Sequence, residues 1–197
     1  MYNLANLFNF IESNRPEYRA PLIVKLIYDP ESITEDDLTV GGSLDLSDTK
    51  ITTLPNNLTV GRNLDLKNTP ITTLPDNLTV GRDLDLQNTP ITTLPDNLKV
   101  GNDLNLEFTP ITTLPDNLNV GCSLYLRHTP ITTLPDNLTV GCTLILSYTQ
   151  ITTLPDNLNV GGSLSLGDTP LSKKYSKDEI RKMIQDKGGN VGGDISI

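Results

Sequence analysis

The sequence predicts a repeat solenoid: a parallel sheet of about eight short strands on one face, turns and extended segments on the other, and helical caps. Three observations carry that expectation. Residues 51–170 hold six copies of one twenty-residue phrase, typified by ITTLPDNLTVGRDLDLQNTP at 71–90. Twelve of the twenty positions are identical in all six copies, among them Ile71, Leu74, Leu78, Val80, Leu84 and Leu86. A coil with so few apolar groups cannot bury them alone, so stacked neighbours must build the core together. Both flanks depart from the phrase, as segments that cover the two ends of a coil stack would.

Within a coil, the alternation Leu84, Asp85, Leu86 predicts a very short strand with leucines inward and Asp85 outward. Ile71, Leu74, Leu78 and Val80 supply the remaining inward groups, and Pro75, Asp76 and Asn77 turn the chain on the opposite side. Gly81 marks the bend into the strand, where it permits either a positive φ or close approach to the next coil. The threonine column running from Thr49 through Thr89 to Thr169 reads as a buried ladder whose hydroxyls satisfy backbone groups of the turn. Asn57, Asn77, Asn97, Asn117, Asn137 and Asn157 are expected to serve similarly at the proline turn. The aspartate column at 76, 96, 116, 136 and 156 is ordinary turn chemistry rather than a cation site, and Asn56 replaces it once.

The chain divides into an N-terminal capping region at 1–37, the solenoid at 38–170, and a C-terminal capping helix with a final strand at 171–197. Asn3 is placed to cap a helix bearing Leu4, Leu7, Phe8 and Ile11 on one face. Pro16 and Pro21 interrupt the chain before the apolar run Leu22 to Tyr28, which fits a strand or a short helix. At the far end Ser176 and Glu179 form a capping box for a helix with Ile180, Met183 and Ile184, ending at Gly188. The closing NVGGDISI nearly repeats NVGGSLSL of 159–166 and predicts a last strand at Ile195 to Ile197. Eight strands about 4.8 Å apart make a sheet about 34 Å long, and its open last edge is a route to a homodimer.

Composition narrows the function classes. The 197 residues carry a net charge of −9, which disfavours nucleic acid as a partner. Met1 to Ala20 has neither the charged start nor the apolar run of a signal peptide, and no run approaches the ~18 apolar residues of a membrane span. The expectation is a cytoplasmic protein without membrane contact. His128 is the sole histidine, so neither a nucleophile–base pair nor a zinc set is spelled out, and no enzyme activity, cofactor or metal is expected. Cys122 and Cys142 occupy one position in adjacent copies, close enough for a disulfide. Duplication alone explains the coincidence, and two free thiols is the preferred reading.

The phrase LDLQNTPITTLP at 84–95 resembles the leucine-rich repeat core LxLxxNxLxxLP, with threonine in place of the ladder asparagine. Its period is similar to that of the twenty-residue bacterial class of type III secreted effectors, and threonine-type repeats of this kind resemble those of bacteriophage and large DNA virus proteins. The resemblance covers 38–170 and again 190–197. Gly81 stands where the family usually has a leucine before the strand, so the strand entry departs from the pattern and a straighter body is expected. Effector ligases of that class carry a separate catalytic domain for which this chain has no counterpart. The resemblance implies a non-catalytic protein-binding scaffold, in the host cytoplasm if phage- or virus-encoded. The alternative is a structural or assembly protein of a phage or virus particle, or a self-associating rod.

Variation among the copies concentrates at five positions, represented by Arg82, Asp83, Asp85, Gln87 and Asn88, all beside the strand. In early coils these positions include Asp45, Asp65, Asp83, Asp85, Asp103 and Glu107, with Arg62, Lys67 and Arg82 interspersed; in later coils they become Phe108, Tyr125, Arg127, His128, Ile145 and Tyr148. Aromatic residues and arginine dominate interface energetics, so this second group is the candidate anchor for a protein partner. The acidic coils would steer a basic surface toward it. Phe108 and Tyr148 stand at the strand exit, where tucking into the core is the competing arrangement. The paired exposed threonines, as at Thr72 and Thr73, raise ice or mineral binding as a minor third reading.

Overall fold

In a computed structural model, described here for residues 21–116 and 118–197, the repeats wind into a solenoid with two parallel eight-stranded sheets. One sheet, here the leucine sheet, stacks two-residue strands such as Leu64–Asp65, Leu84–Asp85 and Leu124–Tyr125. The other, the valine sheet, stacks strands such as Thr59–Val60 and Thr79–Val80. The repeat phrase alone predicts one sheet. Two arise because every coil repeats the same backbone path twenty residues later, so any extended stretch can bond to its own image in the next coil. Thr79 and Val80 are extended just before the Gly81 bend, and they ladder as readily as the leucine strand does.

Register is uniform along the stack. Leu84 sits beside Leu64 and Leu104, and Val80 beside Val60 and Val100. Ile71, Leu78, Leu84 and Leu86 are fully buried and meet their counterparts above and below in one continuous core. Full burial of such side chains contributes about 1.5–3 kcal/mol each. Gly81 acts through close approach, not positive φ: at the equivalent Gly61 an added Cβ would lie 2.7 Å from the Gly41 carbonyl oxygen.

The threonine ladder is present as expected, whereas the asparagine column bonds mainly side chain to side chain between coils rather than to the backbone of its own turn. Thr89 is buried, and its hydroxyl donates to the Leu86 carbonyl at 2.7 Å; the same bond recurs from Thr49 to Thr169. At the proline turn the amides bond between coils, with Asn77 Nδ2 donating to Asn57 Oδ1 at 2.9 Å and Asn157 Nδ2 to Asn137 Oδ1 at 3.0 Å. Asn117 lies outside the described residues.

The apolar run after Pro21 is a helix, α1 (Leu22–Tyr28), which buries Leu22 and Leu26. It also buries Lys25, whose ammonium meets Asp37 Oδ2 at 3.0 Å with both side chains 7% exposed. Burial pushes the Asp37 carboxyl up, but the Thr34 N–H, the Lys25 ammonium and the Thr34 hydroxyl outweigh it and hold it below the usual aspartate value. The helix expected around Asn3, Leu4, Leu7, Phe8 and Ile11 lies outside the described residues.

At the other end Thr169 caps a short helix, α2 (Pro170–Lys174), and Ser176 with Glu179 caps α3 (Lys177–Asp186). Ile180 and Ile184 of α3 are buried. These helices lengthen the last step, which pairs Val160 with Val191 and Leu164 with Ile195. The final strands are Asn190–Val191 and Ile195–Ser196. No helix among the described residues is long and apolar enough to cross a membrane.

A candidate protein-docking face

Seven equivalent residues follow the leucine strands, and all seven adopt left-handed backbone. They are Asp48, Asn68, Asn88, Phe108, His128, Tyr148 and Asp168, with φ between 56° and 61°. Each strand exit needs this conformation because the chain must fold back to place the buried threonine one residue later. Asparagine and aspartate tolerate it well, since their short polar side chains bond locally, whereas a bulky L-residue is strained there by about 1–2 kcal/mol.

The column changes chemistry midway. In the first half Asn68 Nδ2 donates to Asp48 Oδ1 at 2.8 Å, and Asn88 Nδ2 to Asn68 Oδ1 at 3.0 Å. In the second half the rings of Phe108 and His128 stack at 4.7 Å between centroids, and those of His128 and Tyr148 at 4.5 Å. Phe108 and Tyr148 do not tuck into the core, being 46% and 42% exposed. The left-handed turn directs their side chains away from the leucines. Arg127 is exposed, with Cζ 5.0 Å from the Tyr148 ring centroid, within cation–π range.

Beside this column runs the outward row of the leucine strands, in which Asp65, Asp85, Asn105, Tyr125 and Ile145 are register neighbours. All five are half-buried by their neighbours rather than fully outward. The structure therefore brings Phe108, Tyr125, Arg127, His128, Ile145 and Tyr148 into one surface spanning three coils. Asp65 and Asp85 lie further along the same row, in coils that carry no stacked ring.

Crowding shows in the charge of that row. Burial pushes the Asp85 carboxyl above the usual aspartate value and the charge of Asp65 adds to it, while the Gln87 N–H and Lys67 work the other way. Asp85 Oδ1 accepts from Gln87 N at 2.9 Å, and in the next coil Asn105 Oδ1 accepts from Glu107 N at 3.0 Å. An amide thus fills the same role without the charge.

Cys122 and Cys142 form a disulfide, with Cα atoms 4.5 Å apart, which corrects the free-thiol reading. In-register stacking explains both facts: the period that duplicates the position also brings its two copies within bonding reach. The bond joins the coil carrying Tyr125 and His128 to the coil carrying Ile145 and Tyr148.

Two features of this face escaped the sequence reading. Aspartate or asparagine at 48, 68, 88 and 168 is the usual mark of left-handed backbone, and it was available as a signal. The near-parallel ring stack required coordinates. Among the described residues no cluster of histidine, cysteine and carboxylate is arranged to hold a metal. A depression of about 570 Å³ lies away from the face, at the N-terminal end, lined by Leu26, Ile33, Leu38, Ile51 and Leu54 among others. No protein-family model matches the chain, and no curated protein matches it significantly.

Proposed function

We propose that the chain is a non-catalytic protein-binding scaffold of leucine-rich repeat type, docking its partner on the face built by Phe108, Tyr125, Arg127, His128, Ile145 and Tyr148. One observation carries the proposal: Phe108 and Tyr148 are exposed at backbone positions where the same fold uses asparagine or aspartate in four other coils. Stacking on His128, about 0.5–1.5 kcal/mol for each of two pairs, only partly offsets left-handed strain of about 1–2 kcal/mol at each of the three ring positions. Drift would not gather strained aromatics into three consecutive coils, and recognition gives a reason for them. Asp65 and Asp85, with the other carboxylates of the early coils, steer a basic partner surface toward the anchor.

The test is affinity capture with the full chain and with a Tyr125→Ala/Tyr148→Ala variant. A protein recovered by the first and lost with the second supports the reading. Equal recovery, or none by either, removes it.

The second reading is a structural or assembly component, a self-associating rod. Its support is the leucine-sheet edge, where no described residue accepts from the N–H groups of Ile195 and Ile197. Concentration-dependent association without other proteins would favour it. The repeat type suits a phage- or virus-encoded protein acting in host cytoplasm, whereas the Cys122–Cys142 bond suits an oxidising surrounding. Thiol alkylation of protein recovered from its source decides between the two.

A further inference from the structure

The valine sheet reaches its C-terminal edge at Asn190–Val191, yet two carbonyls facing outward there are already bonded. In each earlier step the glycine N–H of one coil donates to the valine carbonyl of the coil before it, as Gly81 does to Val60 at 2.8 Å and Gly192 to Val160 at 2.9 Å. The following residue repeats the pattern, as Arg82 does to Arg62 at 3.1 Å and Gly193 to Gly162 at 2.8 Å. A further coil would therefore donate to the carbonyls of Val191 and Gly193. Arg181 takes that place: Nη1 donates to Val191 O at 2.9 Å and Nη2 to Gly193 O at 2.8 Å.

The match extends to how the arginine is held. It projects from α3, which is fixed without it by buried Ile180 and Ile184 and by the Ser176–Glu179 capping box. A guanidinium carries paired donors in a rigid plane, so one side chain can satisfy two carbonyls of a strand edge together. Bare edges of this kind are templates for pairing with another chain.

We propose that Arg181 is an edge plug, imitating the N–H groups of a further coil and so keeping this edge from pairing with the same edge of a second copy. The proposal concerns the C-terminal end and stands independently of the aromatic face.

Light scattering after size exclusion, over rising concentration of the full chain, tests it alongside Arg181→Ala and Arg181→Lys. Wild type is expected at monomer mass, Arg181→Ala is expected to approach twice that mass, and Arg181→Lys, with one donor group, falls between. Asn190 is exposed on the edge strand, and Asn190→Lys added to Arg181→Ala should restore the monomer. Hydrogen exchange over 177–186 reports whether α3 persists. The proposal is overturned if Arg181→Ala stays monomeric with α3 protected, if α3 loses protection in both variants, if Asn190→Lys fails to reverse association, or if wild type is itself dimeric.

Discussion

The coils at 51–90 and those at 91–150 share one frame and differ in what they hang on it. Apart from the half-buried Leu54, both bury the same leucines, isoleucine and valine, and both close the strand exit with a threonine hydroxyl donating to a leucine carbonyl at 2.7 Å or less. At the left-handed position the first pair uses asparagines that bond to each other at little backbone cost, and the second group uses rings that stack at a strained site. The difference separates residues the fold requires from residues the fold tolerates. A position that accepts amide and ring alike is free to be chosen for something outside the core.

The largest way to split the two regions is covalent. Replacing Cys122 and Cys142 by serine removes a link across a twenty-residue separation and should lower stability by about 3 kcal/mol. In hydrogen exchange the loss should fall on 111–150 and leave 51–90 unchanged, because solenoid coils feel mainly their neighbours. Uniform loss along the chain would mean that the halves do not open separately.

Next in size is a change both regions should feel alike. Thr89→Val and Thr129→Val each remove the hydroxyl bond to a buried carbonyl that still accepts from the same residue's N–H, and should each cost about 0.5–1.5 kcal/mol in denaturant unfolding. A difference between them greater than that range would break the claim of a common frame.

The smallest effect tests the acidic row. The folded pKa of Asp85 lies above its unfolded value, so ionisation weakens the fold; the penalty is absent below the unfolded value of 3.8 and complete above the folded one. Asp85→Asn, which copies Asn105, should raise the melting temperature at pH 7 by roughly 1–2 °C and give no gain at pH 3. A fall at pH 7 would show that the carboxylate is itself stabilising.

Periodicity made the frame legible before any coordinates. Repetition fixes which leucines stack; the invariant Thr89 marks a hydroxyl ladder that appears, and the invariant Gly81 marks a bend by positive φ or close approach, of which the structure uses close approach. What repetition hid was the second sheet, because two residues such as Thr79 and Val80 are too few to show an alternating pattern. It hid the disulfide for the opposite reason: a period supplies an innocent explanation for any aligned pair, Cys122 and Cys142 included. For the face, residue types nominated Phe108, His128 and Tyr148, but only backbone geometry showed that they are strained, outward and in contact.

That ring ladder belongs either to the fold or to a partner. Denaturant unfolding of Phe108→Asn/His128→Asn/Tyr148→Asn, which would extend the asparagine column from Asn68 toward Asp168, measures this directly. Relief at three sites, about 1–2 kcal/mol each, outweighs two lost stacking pairs of about 0.5–1.5 kcal/mol each, so stability should match wild type or exceed it by up to a few kcal/mol. A loss of several kcal/mol would contradict the account, because the rings would then be holding the coils together.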